Sequence, residues 1–436
     1  MHKLTEQATK AVDQAELYWK RGHTISVEYE NNRLQQITEN DLSSVALRII
    51  DAGKMGSTFA VSPDQEGLIE QAKAAAAHGD PTTFAFAPAS PYAKVVASNA
   101  TTAALTSEEL VALCESVKGG ITALRDDLPL FINAEAVRSE LVIETTEGAE
   151  AHSATTGVSL SFGAPIKGAG MPVFKGIESV SPLSRPDELV TEFVEWYDWT
   201  ERTSTPATGR LPVIFAPEAS FLYLLPLWAG IEGNAVARKT SPLVDYIDQP
   251  IFSDKLTVID DPLASGVASS RPFDDEGVPC QRRAIVENGI LRGYLLDRRT
   301  AASLGEVSTG NAVRRDLFGG GTETTPNPWP ISLSVEPGET SYREMIANLE
   351  EGLLVYFGMG FHSGNYPQGQ FAVQAIGYHI KGGAVVGRLE KTMVSANIYE
   401  DFKQIRTVSS ERGQAAGFLD VRAPYILVDS LQVAGV

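Results

Sequence analysis

The first hundred residues alternate between helix-like and strand-like spacing of their apolar positions. Apolar residues recur at helical intervals from Leu4 to Ala15, which predicts an amphipathic helix over residues 4–21. Strand-like segments follow at 24–29, 34–39, 44–50 and 56–61. An Ala-rich run ending at Ala77 predicts a second helix. Antiparallel strands flanked by helices indicate an α+β subdomain over residues 1–100.

The next hundred residues show a similar mixture. A stretch rich in Ala, Pro, Ser and Thr at 87–106 predicts a linker or surface loop. Helical spacing predicts helices over 107–124 and around 189–197, with Pro186 in the first turn of the second. Strand-like alternation is present at 134–145 and 154–162. These elements indicate a second α+β subdomain over residues 101–205.

The remainder of the chain, residues 206–436, is richer in strand signals. The pair Asn288-Gly289 supplies the two positive φ angles of a type I′ turn, so the residues around it predict a tight hairpin. Gly382-Gly383 predicts another hairpin, and a capping box at Ser341 predicts a short helix. The whole pattern predicts an α+β fold. An N-terminal α/β region of antiparallel strands flanked by helices precedes a larger, strand-rich C-terminal domain.

The charge of the chain is strongly negative. Its 436 residues include 36 Lys and Arg against 55 Asp and Glu, a formal net charge of −19 at pH 7. Such a surface repels phosphate backbones and anionic lipid. The densest basic stretch, residues 292–299, is interrupted by Asp297. We therefore expect no binding to nucleic acid and none to a membrane.

Cysteine content and apolar segments favour a cytoplasmic protein. Cys114 and Cys280 are too few for a disulfide framework in a chain of this size. Residues 1–10 lack the apolar core of a signal peptide. The most apolar window, residues 221–231, is too short to cross a bilayer. We expect cytoplasmic localisation.

Familiar catalytic motifs are absent from the sequence. It contains no Gly-x-Ser-x-Gly elbow, no Walker phosphate loop, no Cys-x-x-Cys and no His-x-x-x-His. His362 has the most functional setting of the histidines, a Gly-rich loop that also holds Tyr366. The alternative, which we favour, is a surface or loop-capping histidine. His379 lies in a strand-like segment and is interpreted as a packing residue.

Asp274, Asp275 and Glu276 form a local cluster of carboxylates. Such a cluster can gather a hard cation or line a cleft that holds a cationic group. The alternative, which we favour, is a solvated turn shaped by Gly277. The candidate substrate-cleft residues are Arg271, Asp274, Asp275, Glu276, His362 and Tyr366.

The sequence also contains five short motifs in a particular order, at residues 27–34, 230–234, 273–279, 286–294 and 425–431. Each of these segments is a loose motif alone. Their order and spacing, however, resemble the TldD/PmbA family, and the resemblance extends over nearly the whole chain. This family contains two kinds of subunit, which associate with each other.

The resemblance bears directly on zinc. The TldD kind of subunit has His-Glu-x-x-x-His just before a Gly-x-Glu-Gly segment, and a cysteine near the carboxyl terminus completes its zinc site. The positions that match this set here are Leu224, Leu225, Ala229 and Ser409. Aliphatic side chains offer no lone pair to a metal and cannot move a proton. The resemblance therefore implies the TldE (PmbA) kind, with no metal and no catalytic residue in this chain.

The resemblance thus implies a zinc-free subunit of a two-component cytoplasmic metallopeptidase. Its TldD-like partner would hold the zinc and cleave peptide or unfolded protein substrates in an enclosed cavity, where extended substrates commonly add a strand to a sheet edge. One alternative is a stand-alone homodimer that binds peptides or a regulatory partner without hydrolysis, as the family name "modulator of DNA gyrase" suggests. Another is an independent hydrolase that uses His362 with residues 274–276.

Overall fold

The computed structural model describes residues 1–317, 319–415 and 419–435. Within these ranges the α-helices are α1 Lys3–Ala8, α2 Leu68–Ala77, α3 Ala100–Ala103, α4 Ser107–Leu124, α5 Asp187–Asp198, α6 Phe221–Ile231, α7 Gly233–Ala237, α8 Arg298–Leu304, α9 Tyr342–Ala347 and α10 Ile398–Asp401. None of these described helices combines the length and apolar character that a membrane crossing needs. The helices predicted over 107–124 and around 189–197 are confirmed as α4 and α5.

Six strands from the first half of the chain form one antiparallel sheet. They are β1 Gln14–Glu30, β2 Arg33–Asp51, β3 Lys54–Ala60, β4 Phe131–Thr145, β5 Glu150–Ala164 and β6 Val173–Ser179. Their order is β3-β2-β1-β4-β5-β6. Helices α4 and α5 bury their apolar sides against this sheet, and the predicted α+β fold class is confirmed.

The predicted first helix is wrong beyond α1. Residues from Gln14 onward form β1, in which Leu17 pairs with Leu47 of β2. Both side chains are fully buried in a small core with Ala15. The helical interval between apolar residues was real, but pairing with β2 across the sheet outweighs local helix preference.

Strand β2 extends well beyond its outer neighbour. β3 pairs with residues 45–51 of β2, so the half that begins at Arg33 has β1 as its ladder partner on one side and a free edge on the other. Leu34 and Ile37 are 44% and 45% exposed there. A register shift opposite Tyr29 interrupts the β1–β2 ladder near the turn.

The C-terminal half is built on a second, larger sheet. The strands of this half are β7 Thr203–Ser204, β8 Gly209–Phe215, β9 Val258–Asp260, β10 Arg283–Glu287, β11 Ile290–Leu291, β12 Ala312–Val313, β13 Arg315–Asp316, β14 Gly319–Gly320, β15 Asn327–Pro328, β16 Leu333–Val335, β17 Glu351–Met359, β18 Gln370–Lys381, β19 Ala384–Leu389, β20 Thr392–Asn397, β21 Ile405–Ala415 and β22 Val421–Gly435. The main path is β11-β10-β9-β16-β22-β8-β17-β18-β19-β7, while β20 and β21 both pair with β22. Two small ladders, β12–β15 and β13–β14, lie outside it.

Strand β8 shows how the second sheet is buried on both faces. Val213 and Phe215 belong to the core that contains α6, whereas Ile214 belongs to the core that contains α4 and α5. This alternation follows from the two-residue period of a strand. Strands on both sides of residue 100 share the first sheet, and the domain boundaries after residues 100 and 205 stay predictions.

The turns predicted from short motifs are present. Asn288 and Gly289 have φ angles of 50° and 77°, as a type I′ hairpin requires. Gly382 and Gly383 make the β18–β19 turn with φ angles of 58° and 77°. Ser341 caps α9 in a complete capping box.

Candidate functional site

A cavity of about 720 Å³ lies where the two sheets meet. Residues 175–177 of β6 form one wall, and residues 411–414 of β21 form the wall opposite. The first residues of α5 and α9 and the turn Pro217–Ala219 complete the lining. The cavity is thus bounded by strands from both halves of the chain.

Two strand edges face each other across this cavity. β6 is the last strand of its sheet, and β21 has β22 as its ladder partner and a single bridge between Ser409 and Thr340 on its other side. At one end the side chain of Gln414 spans the gap. Its Oε1 accepts from the backbone N–H of Glu178 at 2.6 Å, and its Nε2 donates to the backbone oxygen of the same residue at 3.0 Å.

Lys175 is a buried cation of the cavity wall, with 1% of its surface exposed. Its Nζ lies 2.9 Å from both Glu192 and Glu218, and 3.3 Å from the ring centroid of Trp196. The hydroxyl of Tyr425 donates to Glu192 at 2.7 Å. Burial acts to raise the pKa of Glu192, but the charge of Lys175 and the Tyr425 hydroxyl outweigh it and hold that pKa below its ordinary value. Two carboxylates and an aromatic face thus stabilise one buried ammonium group.

The positions that match the zinc motif do not fit a metal. Leu224 and Leu225 are 1% and 0% exposed on α6, and Ala229 packs against the same apolar core. These side chains carry no donor atom for zinc. Across the residues that the structure describes, no group of three His, Cys, Asp or Glu side chains is arranged to hold a metal ion.

Ser409, the fourth of these positions, lies beside the cavity. Its Oγ donates to the backbone oxygen of Glu411 at 2.8 Å and accepts from the backbone N–H of Tyr425 at 2.8 Å. Both partners line the cavity. The hydroxyl is therefore committed to fixing the position of β21 on β22.

The interpretation of Asp274, Asp275 and Glu276 as a solvated turn is wrong. These residues are 0%, 4% and 1% exposed. Arg48 donates to Glu276 at 3.1 Å, and Arg271 donates to Asp275 at 2.8 Å. Arg48, from the N-terminal sheet, and Arg271, four positions before Asp275, replace the water that the sequence pattern led us to expect.

Asp274 is held by backbone groups instead of an arginine. It accepts from the N–H groups of Glu276, Val278 and Ala312 at 3.0, 2.9 and 2.9 Å. Burial and the neighbouring Glu276 raise the pKa of Asp274. The carboxylate cluster joins the N-terminal sheet to the C-terminal half and does not line the cavity between β6 and β21. Its assignment to a substrate cleft, with Arg271, stays a prediction.

His362 and Tyr366 lie in the loop after β17. His362 is exposed, whereas Tyr366 is buried and its hydroxyl donates to the backbone oxygen of Phe361 at 2.5 Å. In the described ranges, no hydrogen bond or ion pair joins either residue to the carboxylates at 274–276. His379 is buried in β18, where its ring contacts Ser204 at 2.8 Å.

Sequence reasoning missed the residues that form the cavity. Lys175, Glu192, Glu218 and Tyr425 come from four separate elements, β6, α5, the turn before α6, and β22. Lys175, Glu192 and Glu218 stand outside any recognisable motif, and Tyr425 opens a segment that carried the family resemblance without indicating a site. Only the packing of the two sheets brings them together.

Family models match two parts of this chain. The PmbA/TldA metallopeptidase C-terminal domain matches residues 208–435, and the PmbA/TldA metallopeptidase domain 1 matches residues 15–78. The first match alone covers more than half of the 436 residues.

Two curated relatives align with about half of the chain. The metalloprotease PmbA of Escherichia coli O157:H7 is 30% identical over 230 residues, which are 52% of this chain and 47% of the relative. The zinc metalloprotease TldD homolog of Saccharolobus solfataricus is 28% identical over 242 residues, which are 53% of each protein. The chain thus spans about half the length of these relatives.

A solved structure shares the whole architecture. TldE from Thermococcus kodakarensis superposes on 99% of this chain and 99% of its own length with a TM-score of 0.89, at 22% sequence identity. At that identity the likeness shows the fold alone. Together with the family models, which match the segments that carried the sequence resemblance, it leads to one conclusion: this chain belongs to the PmbA/TldD family.

Proposed function

We propose that this chain is the zinc-free, non-catalytic subunit of a two-component cytoplasmic metallopeptidase whose TldD-like partner supplies the zinc. The observation that carries the proposal is the presence of Leu224, Leu225 and Ala229 where a zinc-binding relative has its ligands and its base. These side chains pack in an apolar core. A metal ion there would lose its hydration without any donor in exchange.

The cavity between β6 and β21 supports a role in holding peptide or unfolded protein substrates. An extended peptide hydrogen-bonds to a strand edge through its main chain, which requires no particular side-chain sequence. Here two edges face each other across one space. We infer that this subunit positions the substrate chain while the partner performs hydrolysis.

Affinity purification of the full chain from its native extract tests the partnership. We expect a protein with His-Glu-x-x-x-His to co-purify, and elemental analysis to find stoichiometric zinc in the complex. We expect peptide hydrolysis by the complex and none by this chain alone. The partner purified without this chain is the matched control for zinc content.

Two results would contradict the proposal. Tight stoichiometric zinc in the isolated chain, with hydrolysis of peptides, would identify an independent enzyme. A stable homodimer that associates with no metallopeptidase and changes no peptidase rate would favour the stand-alone peptide-binding role.

A further inference from the structure

Arg412 of β21 and Arg422 of β22 lie on one face of the sheet, at the wall of the cavity. In the register of these strands Arg412 is opposite Pro424, and Gln414 is opposite Arg422. The two arginines are therefore diagonal neighbours, with Cα atoms roughly 7–8 Å apart. Their guanidinium groups reach the same part of the cavity.

The other cations of the cavity wall have partners within the chain. Lys175 is held by two carboxylates. Arg343 donates twice to Glu195, at 2.7 and 2.5 Å. Among the described residues, the side chains of Arg412 and Arg422 have neither an ion pair nor a hydrogen bond to a carboxylate. Two like charges are thus placed side by side, and neither has a direct ion-pair partner in the described part of the chain.

Two nearby carboxylates are already engaged elsewhere. Glu411 accepts from the first backbone N–H of α9 at 3.1 Å. Asp261, the acid whose field reaches Arg422, pairs with Arg282 at 3.5 Å. Burial and then the charge of Arg412 lower the pKa of Arg422, while the charge of Asp261 acts in the opposite direction.

The cavity ends beside this arginine pair. Gln414, directly opposite Arg422 in the ladder, is bound to the backbone of Glu178 in β6. Beyond this contact lies a smaller pocket of about 100 Å³, which Glu178 lines together with Gln414 and Arg422. A peptide that lies between β6 and β21 therefore meets the contact between Gln414 and Glu178, and its terminus falls next to the two guanidinium groups.

We propose that Arg412 and Arg422 bind the terminal carboxylate of an extended peptide lying between β6 and β21. The inference rests on the proposed function of this cavity and names the part of the substrate that it recognises. Guanidinium groups match the two oxygens of a carboxylate and form charge-assisted hydrogen bonds with it. An acidic side chain has the same chemistry, so the test separates the two sources.

Fluorescence anisotropy on the full chain provides that test. The probes are a short labelled peptide of alternating Thr and Val with a free carboxyl terminus, its carboxyl-terminal amide, and an amide whose last residue is Glu. We expect the free acid to bind about tenfold more tightly than either amide. Arg422→Gln removes this difference, and so does Arg412→Gln, which alters an exposed side chain and leaves the core intact.

The matched control is Arg406→Gln. Arg406 lies on the same strand, is 44% exposed and pairs with Asp429 away from the cavity. We expect this variant to keep the full preference for the free acid. Equal binding of all three probes, or a preference that survives both cavity variants, would overturn the inference while leaving peptide binding in place. Tight binding of the Glu-ended amide would overturn the assignment to the terminus.

Failure of every probe to bind would overturn the inference together with the cavity's role in holding substrate. Co-purification of a zinc-bearing partner would then still support the assignment of this chain as a zinc-free subunit. That assignment depends on the residues of α6 and on no residue of this cavity. The two proposals therefore fail separately.

Discussion

Arg48 donates to Glu276 at 3.1 Å although the two residues are 228 positions apart in the chain. The same guanidinium group also donates to Glu16, at 2.7 and 2.6 Å. Arg48 and Glu16 belong to neighbouring strands of the N-terminal sheet, whereas Glu276 belongs to the C-terminal half. This buried arginine therefore ties the two halves together through charge.

Replacement of Arg48 by Met is expected to destabilise the protein by about 3–5 kcal/mol. The change leaves Glu276 buried without its arginine and leaves Glu16 with only Arg314, at 3.4 Å, and both carboxylates are no more than 1% exposed. Urea unfolding followed by circular dichroism measures the loss. The control is Arg21→Met, which removes a pair with Glu140 whose side chains are 48% and 47% exposed and which we expect to cost at most about 1 kcal/mol. Equal losses of unfolding free energy in the two variants would contradict the role of Arg48 in joining the two halves of the chain.

Replacement of Lys175 by Met leaves Glu192 and Glu218 facing the same space without a cation. We expect a loss of about 3 kcal/mol or more in the free energy of unfolding. The additional change Glu218→Gln is expected to restore part of that loss, because it removes one of the two uncompensated charges. Denaturant unfolding of the single and double variants checks this. No recovery in the double variant would show that the loss comes from packing against Trp196.

Glu178 makes stability depend on pH in a definite direction. Burial, followed by the charges of Asp420 and Glu135, raises the pKa of Glu178 from 4.5 to about 7. The folded chain thus binds this proton more tightly than the unfolded chain does. Stability from this group is present below its unfolded pKa and is lost as the pH rises through about 7.

The variant Glu178→Gln cannot lose that proton. Relative to the parent, it is expected to gain about 1–2 kcal/mol in unfolding free energy between about pH 5 and about pH 8, after allowance for partial exposure. Urea titrations at the two pH values measure the change. Glu147→Gln, in an exposed turn, is the control for the substitution itself. A gain of the same size in both variants would contradict the role of Glu178.

Substitution of Leu225 tests whether α6, the helix at the position of the zinc motif, is part of the apolar core. Leu225→Ala is expected to cost about 2–5 kcal/mol, because the side chain is fully buried and a cavity remains. The control Leu124→Ala changes a residue that is 56% exposed and is expected to cost less than about 0.5 kcal/mol. Thermal and urea unfolding check both values. A cost at Leu225 as small as at Leu124 would show that this position is not core.

Local chemistry made part of the fold predictable from sequence. α4 is present over Ser107–Leu124, where Thr106 and Glu109 form a capping box. The Asn288-Gly289 turn followed from its backbone preference alone. In each case the residues that decide the structure are within a few positions of each other.

The rest depended on contacts between distant segments. The helix predicted from Leu4 ends at Ala8, and the residues from Gln14 onward form a strand because β2 supplies a ladder partner. Asp275 was predicted to be solvated, but it also accepts from the backbone N–H of Arg314, 39 positions away, which only the folded chain brings to it. The zinc-motif positions, in contrast, were chosen by resemblance, and their buried, apolar surroundings became visible only in the folded chain.

The free half of β2 has a consequence for solubility. Its unpaired backbone groups can accept another extended chain, and such edges promote aggregation into fibres unless the sequence opposes it. Glu39 and Asp41 place negative charge along this edge, and the irregular register opposite Tyr29 disfavours regular pairing over its full length. The strand can therefore remain long and exposed while like charge and an interrupted ladder disfavour self-association.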